Sequence, residues 1–160
     1  MRDLYRPVWS DQILAELERF HVRVKHRNPV TVRAILDRMR ADFPDASVNA
    51  SRRVEDGLKT DPGDRHVLAT AICARAPLIV TDNLVHFPPE ALTPYGIRAL
   101  NTDAFLMLLF QDHGAEMAET VRMYADFMLD PQQSITIVLH RLERCGAHVF
   151  AASMRDRFSA

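Results

Sequence analysis

The run Leu78-Ile79-Val80-Thr81 limits the folds open to this chain more than any other segment. A compact apolar strand of this kind is the type buried on both faces of a parallel sheet, which in turn demands covering helices. The rest of the first hundred residues supplies that alternation. Tyr5–Val8, Ala46–Asn49 and Ile97–Leu100 read as further short strands, the first weakened by Pro7, which belongs at an edge or a strand end. Strands alternating with helical patterns predict an α/β fold with a short parallel sheet of about four strands.

The helical patterns have their own punctuation. Ser10 is placed to cap a helix reaching about His26, with an apolar stripe at Ile13, Leu17, Phe20 and Val24. Asn28-Pro29 restarts a helix through about Asp42. Residues 50–60 read as polar and irregular, and Asp61-Pro62-Gly63-Asp64 opens a helix to about Arg75, with Asp61 as its cap. Phe87-Pro88-Pro89 breaks the chain ahead of a turn of helix. From Thr102 on, the pattern is helical only: Thr102 caps Asp103–Gln111, and Glu116–Leu129 follows. Ser134 caps a helix through Arg144 that Gly146 ends, and a last helix spans about His148–Arg157.

With 160 residues, 48% of them hydrophobic, the chain can bury one full core. A net charge of −1 provides no global basic field, so nucleic acid would have to be held by local patches. Cys73 and Cys145 have no metal-ligand spacing and read as small apolar residues in a reducing compartment. Charged residues scattered through the first twenty positions exclude a signal-peptide core, and no apolar run approaches membrane-spanning length. A cytoplasmic protein with no membrane partner is expected.

Three acids stand where β–α units would turn carboxylates toward a common edge: Glu16, Asp64 and Asp82. Carboxylates at the C-terminal ends of parallel strands attract hard divalent cations, the usual tools for cutting phosphodiesters. At 100° per residue, Glu16 lies roughly 70° from the centre of its apolar stripe and Glu18 roughly 130° away. Glu16 therefore sits on the rim of the buried face, as an ion-pair partner of Arg19 or Arg23 or as a chemical group, while Glu18 points to water. Asp64 falls in phase with Val67, Leu68 and Ala71. A first-turn carboxylate satisfying free N–H groups explains many aspartates there, and explains less well one aimed at a core face. Asp82 and Asn83 are turn residues by default, at the strand end where open α/β sheets place ligands. The Thr81 hydroxyl can orient a water or phosphate oxygen, and His86 is either a phosphate contact or a structural histidine. Arg19, Arg23 and Arg27 recur at i+4 beside Glu16, as an RNA-binding stripe or a solvated face.

Three segments together resemble the PIN-domain ribonucleases, in particular toxins of the VapC type. They are Leu4-Tyr5-Arg6-Pro7-Val8-Trp9-Ser10 with Ile13-Leu14-Ala15-Glu16-Leu17, then Asp61-Pro62-Gly63-Asp64-Arg65-His66-Val67-Leu68-Ala69, then Ile79-Val80-Thr81-Asp82-Asn83 with His86-Phe87-Pro88. The resemblance covers about residues 4–105, and the tail with Leu142-Glu143-Arg144-Cys145-Gly146 and Phe150-Ala151-Ala152 looks like the helical extension of one branch of these toxins. It implies a three-layer α/β/α PIN-like domain over 1–105 and a helical extension over 106–160. It also implies a metal-dependent endoribonuclease of a toxin–antitoxin pair, with RNA as substrate, an antitoxin as partner and a homodimer as a possible form. Mg²⁺ or Mn²⁺ would be held by Glu16, Asp64 and either Asp82 or Asn83. Family members also open with a hydrophobic strand ending in aspartate, which residues 1–160 do not contain. The expectation is a misplaced start codon, a degraded copy, or a sheet that closes differently.

The rival reading is a PIN-like module that binds an antitoxin or RNA without cutting, with Leu106, Leu109, Met117, Val121, Tyr124 and Met128 as a groove or, more simply, as core. A response-regulator-like or phosphatase domain lacks both a Gly-rich phosphate loop and a nucleophile motif. Neither cysteine has an evident histidine partner for hydrolase chemistry.

Overall fold

The computed structural model describes residues 4–50, 52–127 and 135–159. Two compact units divide them. One comprises Tyr5–Ile79 and Asn83–Ala99; the other holds Leu4, Val80–Asp82 and the described residues from Leu100 on.

In the first unit, helix α1 (Asp11–Arg19) starts where the sequence sets it, with the Ser10 hydroxyl accepting from the Ile13 N–H at 3.3 Å. Its continuation is not α-helical. Phe20–Val24 form a π turn in which the Lys25 N–H reaches the Phe20 carbonyl at 3.1 Å, and His26 at φ 49° ends the run. The wider turn rotates later side chains off the expected stripe. Leu14 is the buried residue, whereas Phe20 and Val24 are 45% and 59% exposed. Asn28 caps α2 (Pro29–Asp42) by accepting from the Val30 N–H at 2.8 Å, with proline at the first position where no donor is lost. Trp9, Leu14, Val32, Leu36 and Ala46 form the core beneath α1 and α2.

A second core of this unit gathers Leu58, Leu68, Ala69, Ala71, Ile79, Phe87, Leu92 and Ile97. Around it lie α3 (Arg52–Asp56), within a stretch expected to be irregular, then α4 (Arg65–Ala74) and the short α5 (Pro89–Leu92).

The sheet is smaller than expected. Strands β1 (Leu78–Val80) and β2 (Arg98–Leu100) pair in parallel, with the Arg98 N–H on the Pro77 carbonyl at 3.0 Å and the Thr81 N–H on the Leu100 carbonyl at 2.9 Å. Of the β1 residues only Ile79 is buried, and Val80 is 45% exposed, so this strand is not covered on both faces. The other two expected strands shrink to a single parallel bridge, Trp9 to Ser47, made by Trp9 N–H to Ala46 O at 2.9 Å and Val48 N–H to Trp9 O at 2.8 Å. Pro7 offers no donor, Ser10 already caps a helix, and Pro44–Ala46 is a 3₁₀ turn, which leaves room for one rung. Among the described residues there are therefore two strands, not about four.

The second unit is helical. Its long helix α6 (Thr102–Phe127) is kinked at His113 (φ −132°, ψ 32°), inside the gap that separated two expected helices. Asn101, rather than Thr102, caps it, accepting from the Ala104 N–H at 2.8 Å. Helix α7 (Ile135–Arg144) ends ahead of Gly146 at φ 93°, a conformation natural to glycine, and α8 (His148–Ser159) follows. Both Asp103 oxygens close the start of α8, accepting from the Val149 and Phe150 N–H groups at 2.9 Å each. Met117, Val121, Val138, Leu139, Phe150 and Met154 make the core, with Leu106 and Leu109 packed on it. The apolar face considered as a groove is thus mostly core, with Tyr124 half exposed; Met128, Leu129 and Ser134 lie outside the described residues. No helix among the described residues is long and apolar enough to cross a membrane.

Candidate functional site

Glu16 occupies the middle of α1 with its side chain 42% exposed. One oxygen faces the Arg19 guanidinium at 3.6 Å; the other, Oε2, lies 3.1 Å from Nε2 of His66 on α4. His66 is 2% exposed, and neither of its ring nitrogens has a hydrogen-bond partner, so the Glu16 oxygen stands close to Nε2 but off its bonding direction. The role expected of Glu18 needs correction. It is less exposed than Glu16, at 32%, and accepts from Arg33 Nε of α2 at 2.9 Å, because α2 flanks the face of α1 that looked solvated. That bond holds the Arg33 guanidinium above its ordinary pKa.

Asp64 stands at the N-cap position of α4 but makes no capping bond with its side chain. Asp61 does not cap the helix either. Its carboxylate accepts from the Gly63 N–H at 2.8 Å and its carbonyl from the Asp64 N–H at 3.0 Å, which closes the turn before the helix. Asp64 Oδ2 instead meets His86 Nδ1 at 2.7 Å, with the two side chains 24% and 44% exposed. An ionised carboxylate only accepts, so Nδ1 is the donor of this contact.

Asp82, Asn83 and Thr81 make other contacts. Asp82 Oδ1 accepts from the Thr102 N–H at 3.1 Å, a helix-closing role within the helical unit. Asn83 precedes a 3₁₀ turn (Leu84–His86), its carbonyl accepting from the His86 N–H at 3.3 Å. Thr81 pairs its backbone with Leu100. Arg19, Arg23 and Arg27 do not share one helical face: the π turn intervenes, and Arg27 follows the left-handed His26. The structure therefore brings together Glu16 with His66 and Asp64 with His86. His66 is the residue that sequence reasoning missed, and a histidine opening the apolar run Val67-Leu68-Ala69 was the available signal.

The sequence profile of the PIN domain matches residues 1–84, more than half of the chain and inclusive of Glu16, Asp64, His66, Asp82 and Asn83. The chain belongs to the PIN domain family. Within this PIN-domain protein, a 44-residue stretch is 61% identical to the protein named "Putative ribonuclease VapC50" of Mycobacterium tuberculosis (strain ATCC 25618 / H37Rv). That stretch is 28% of the chain and 26% of the relative's length. No solved structure matches the chain.

The divalent cation implied by the family finds a partial fit. Glu16 offers the hard oxygen such ions take, and the unpartnered His66 nitrogen beside it is a buried donor atom without its complement. Among the described residues, however, no three His, Cys, Asp or Glu side chains surround one point.

Proposed function

We propose that this PIN-domain chain is an endoribonuclease of the VapC type, the toxin of a toxin–antitoxin pair, cutting RNA phosphodiesters in the cytoplasm. The observation that carries the reading is the PIN-domain match over residues 1–84, joined to 61% identity over 44 residues with a protein named a ribonuclease. In this reading residues 1–105 are the PIN-like domain and 106–160 its helical extension.

Glu16, Asp64 and Asp82, with Asn83 as the alternative at the last position, are the site residues, and Mg²⁺ or Mn²⁺ is the cofactor. Bound there, the ion would polarise a phosphate oxygen and make water a better nucleophile. The chain's own groups do the positioning. Asp64 fixes the His86 ring, so that a half-exposed imidazole is held in one orientation for a phosphate. Arg19, Arg23, Arg27, Thr81 and His86 are the proposed RNA contacts, and an antitoxin protein and a second copy are the proposed partners.

The purified chain, given end-labelled RNA and Mn²⁺, is expected to cleave it, and Glu16→Gln and Asp64→Asn to slow cleavage by about 100-fold. Cleavage at unchanged rate by both variants would refute the assignment. A second reading, binding of RNA or an antitoxin without cleavage, is favoured by Asp82 being engaged on the Thr102 N–H. RNA retained on the protein but never cut would select it.

A further inference from the structure

Residues 19–36 contain no acid, and Arg19, Arg23, Lys25, Arg27 and Arg33 all fall within them. Arg19 and Arg33 are paired, with Glu16 and Glu18. Among the described residues Arg23, Lys25 and Arg27 have no carboxylate partner, and all three are exposed. They sit on or just after the π turn Phe20–Val24, where Phe20 is 45% exposed. The Lys25 ammonium lies over the Phe20 ring, 5.5 Å from its centroid, and the His21 ring stands at 78° to Phe20 with centroids 5.6 Å apart. The Arg27 N–H closes on the His21 carbonyl at 2.9 Å, so the cations and the two rings belong to one compact piece of chain. A singly exposed aromatic needs no explanation. An aromatic oriented by a second ring and set among unpaired cations does. So does the π turn itself, a rare geometry met often at functional sites, which here leaves His21 Nδ1 buried without a hydrogen-bond partner.

We propose that Phe20 is a stacking platform for an unpaired base of single-stranded RNA, with Arg23, Lys25 and Arg27 holding neighbouring phosphates. At an exposed site the ammonium's hold on the ring is weak, and its stem is flexible. An RNA strand replaces that contact with two better ones: a base lies on the ring, and Lys25 turns to a phosphate. An acidic peptide supplies the charge but no planar face, and a lipid bilayer supplies no stacking partner. A nucleic-acid strand uses both features. Within a duplex the base faces are already covered by one another, which selects strands with unpaired bases. The inference rests on the ribonuclease reading for RNA as the partner, and adds which form of RNA is held and by which ring. It involves no metal ion.

The experiment is fluorescence anisotropy of the full chain with a short labelled oligouridine, in EDTA so that no strand is cut. Phe20→Leu, which keeps an apolar side chain and removes only the ring, should weaken binding by about tenfold at an unchanged salt slope. Phe20→Trp should restore it. Lys25→Met should weaken binding and flatten the salt dependence by about one phosphate contact. A duplex of the same length is expected to bind about tenfold more weakly than the single strand. Equal binding by Phe20→Leu, or by an abasic ribose-phosphate strand, would overturn the platform and leave a charged surface only. Absence of oligouridine binding would overturn it too, and binding to phosphatidylserine vesicles instead would assign the face to a membrane surface. Cleavage with Mn²⁺ is read separately. A chain that binds through Phe20 but never cuts sinks the ribonuclease reading alone, and one that cuts with binding indifferent to Phe20 sinks this inference alone.

Discussion

The two units employ the same residue type for different ends. In the helical unit, Asp82 and Asp103 spend their oxygens on backbone N–H groups at the starts of α6 and α8, and Glu143 pairs with Arg155 at 2.7 Å. In the unit of Tyr5–Ile79 and Asn83–Ala99, Glu16 and Asp64 face imidazoles, and Asp64 leaves the helix it precedes uncapped by its side chain. Buried polar residues follow the same division. Among the described residues Ser10, Thr60, His66 and Thr70 are all in that unit, while the core of the helical unit is apolar. Acids that close helices explain themselves by stability. An acid set beside a buried imidazole does not, and that separates Glu16 from Glu143, whose second oxygen lies 3.6 Å from the exposed His140, and marks where chemistry should be sought.

Substituting one core residue from each unit should give the largest difference. Met154, fully buried among helices, should cost about 2–5 kcal/mol on replacement by alanine, through lost burial and the cavity left behind. His66→Leu should do the opposite and stabilise by about 1–3 kcal/mol, because an apolar side chain of similar size removes two uncompensated polar atoms. Urea denaturation measures both. A His66→Leu protein less stable than wild type would show that the imidazole earns its place structurally.

The aspartates give the next contrast. Asp103→Ala strips the acceptors from two N–H groups at the start of α8 and should cost about 1–3 kcal/mol. Asp64→Ala, which removes no capping bond, should stay under about 1 kcal/mol. Equal losses would erase the distinction between closing a helix and holding a ring.

Much of this was legible beforehand where a local rule acts alone. Ser10 and Asn28 cap helices because their short side chains reach N–H groups two or three residues on, whatever the tertiary setting. Gly146 ends α7 for an equally local reason. What escaped reading depends on distant partners. The Trp9–Ser47 bridge stops at one rung because neighbouring turns claim its backbone, and Glu18 faces Arg33 because α2 returns alongside α1. At the site, Glu16 and Asp64 were visible as acids out of place, but their imidazole partners, 50 and 22 residues further on (66 − 16 and 86 − 64), were not. The π turn at Phe20–Val24 also undid the arginine stripe, since no sequence rule distinguishes its start from one more α-helical turn.

Helix ends supply a smaller contrast. Gly146 and Arg75 both take left-handed backbone after a helix, at φ 93° and φ 54°, but only one is glycine. Gly146→Ala meets open space around its new Cβ, so its expected cost of about 1 kcal/mol is conformational alone. Arg75→Gly should return up to about 1 kcal/mol on the other unit, less the extra freedom glycine gives the unfolded chain. Melting temperatures moving in opposite directions would support this; a shared direction would show that the Arg75 side chain contributes more than its backbone costs.

The smallest effect comes from the helical unit's exposed charge pair, and its sign is fixed by linkage. A hydrogen bond from Arg155, helped by charge attraction, holds the Glu143 carboxyl below the ordinary glutamate value of 4.5, against a desolvation that acts the other way. A carboxyl lowered on folding contributes stability that is present above its unfolded pKa and disappears as pH falls through the folded one. Glu143→Gln should therefore be less stable than wild type by a small margin above pH 4.5, and the margin should shrink as the solution is acidified below it. Salt should shrink it too, because both side chains are partly exposed, at 27% and 41%. A margin that widened on acidification would mean that Glu143 is protonated more readily in the folded chain than in the unfolded one. The pairing with Arg155 would then not govern its charge, and the helical unit would hold an acid whose role is not stability.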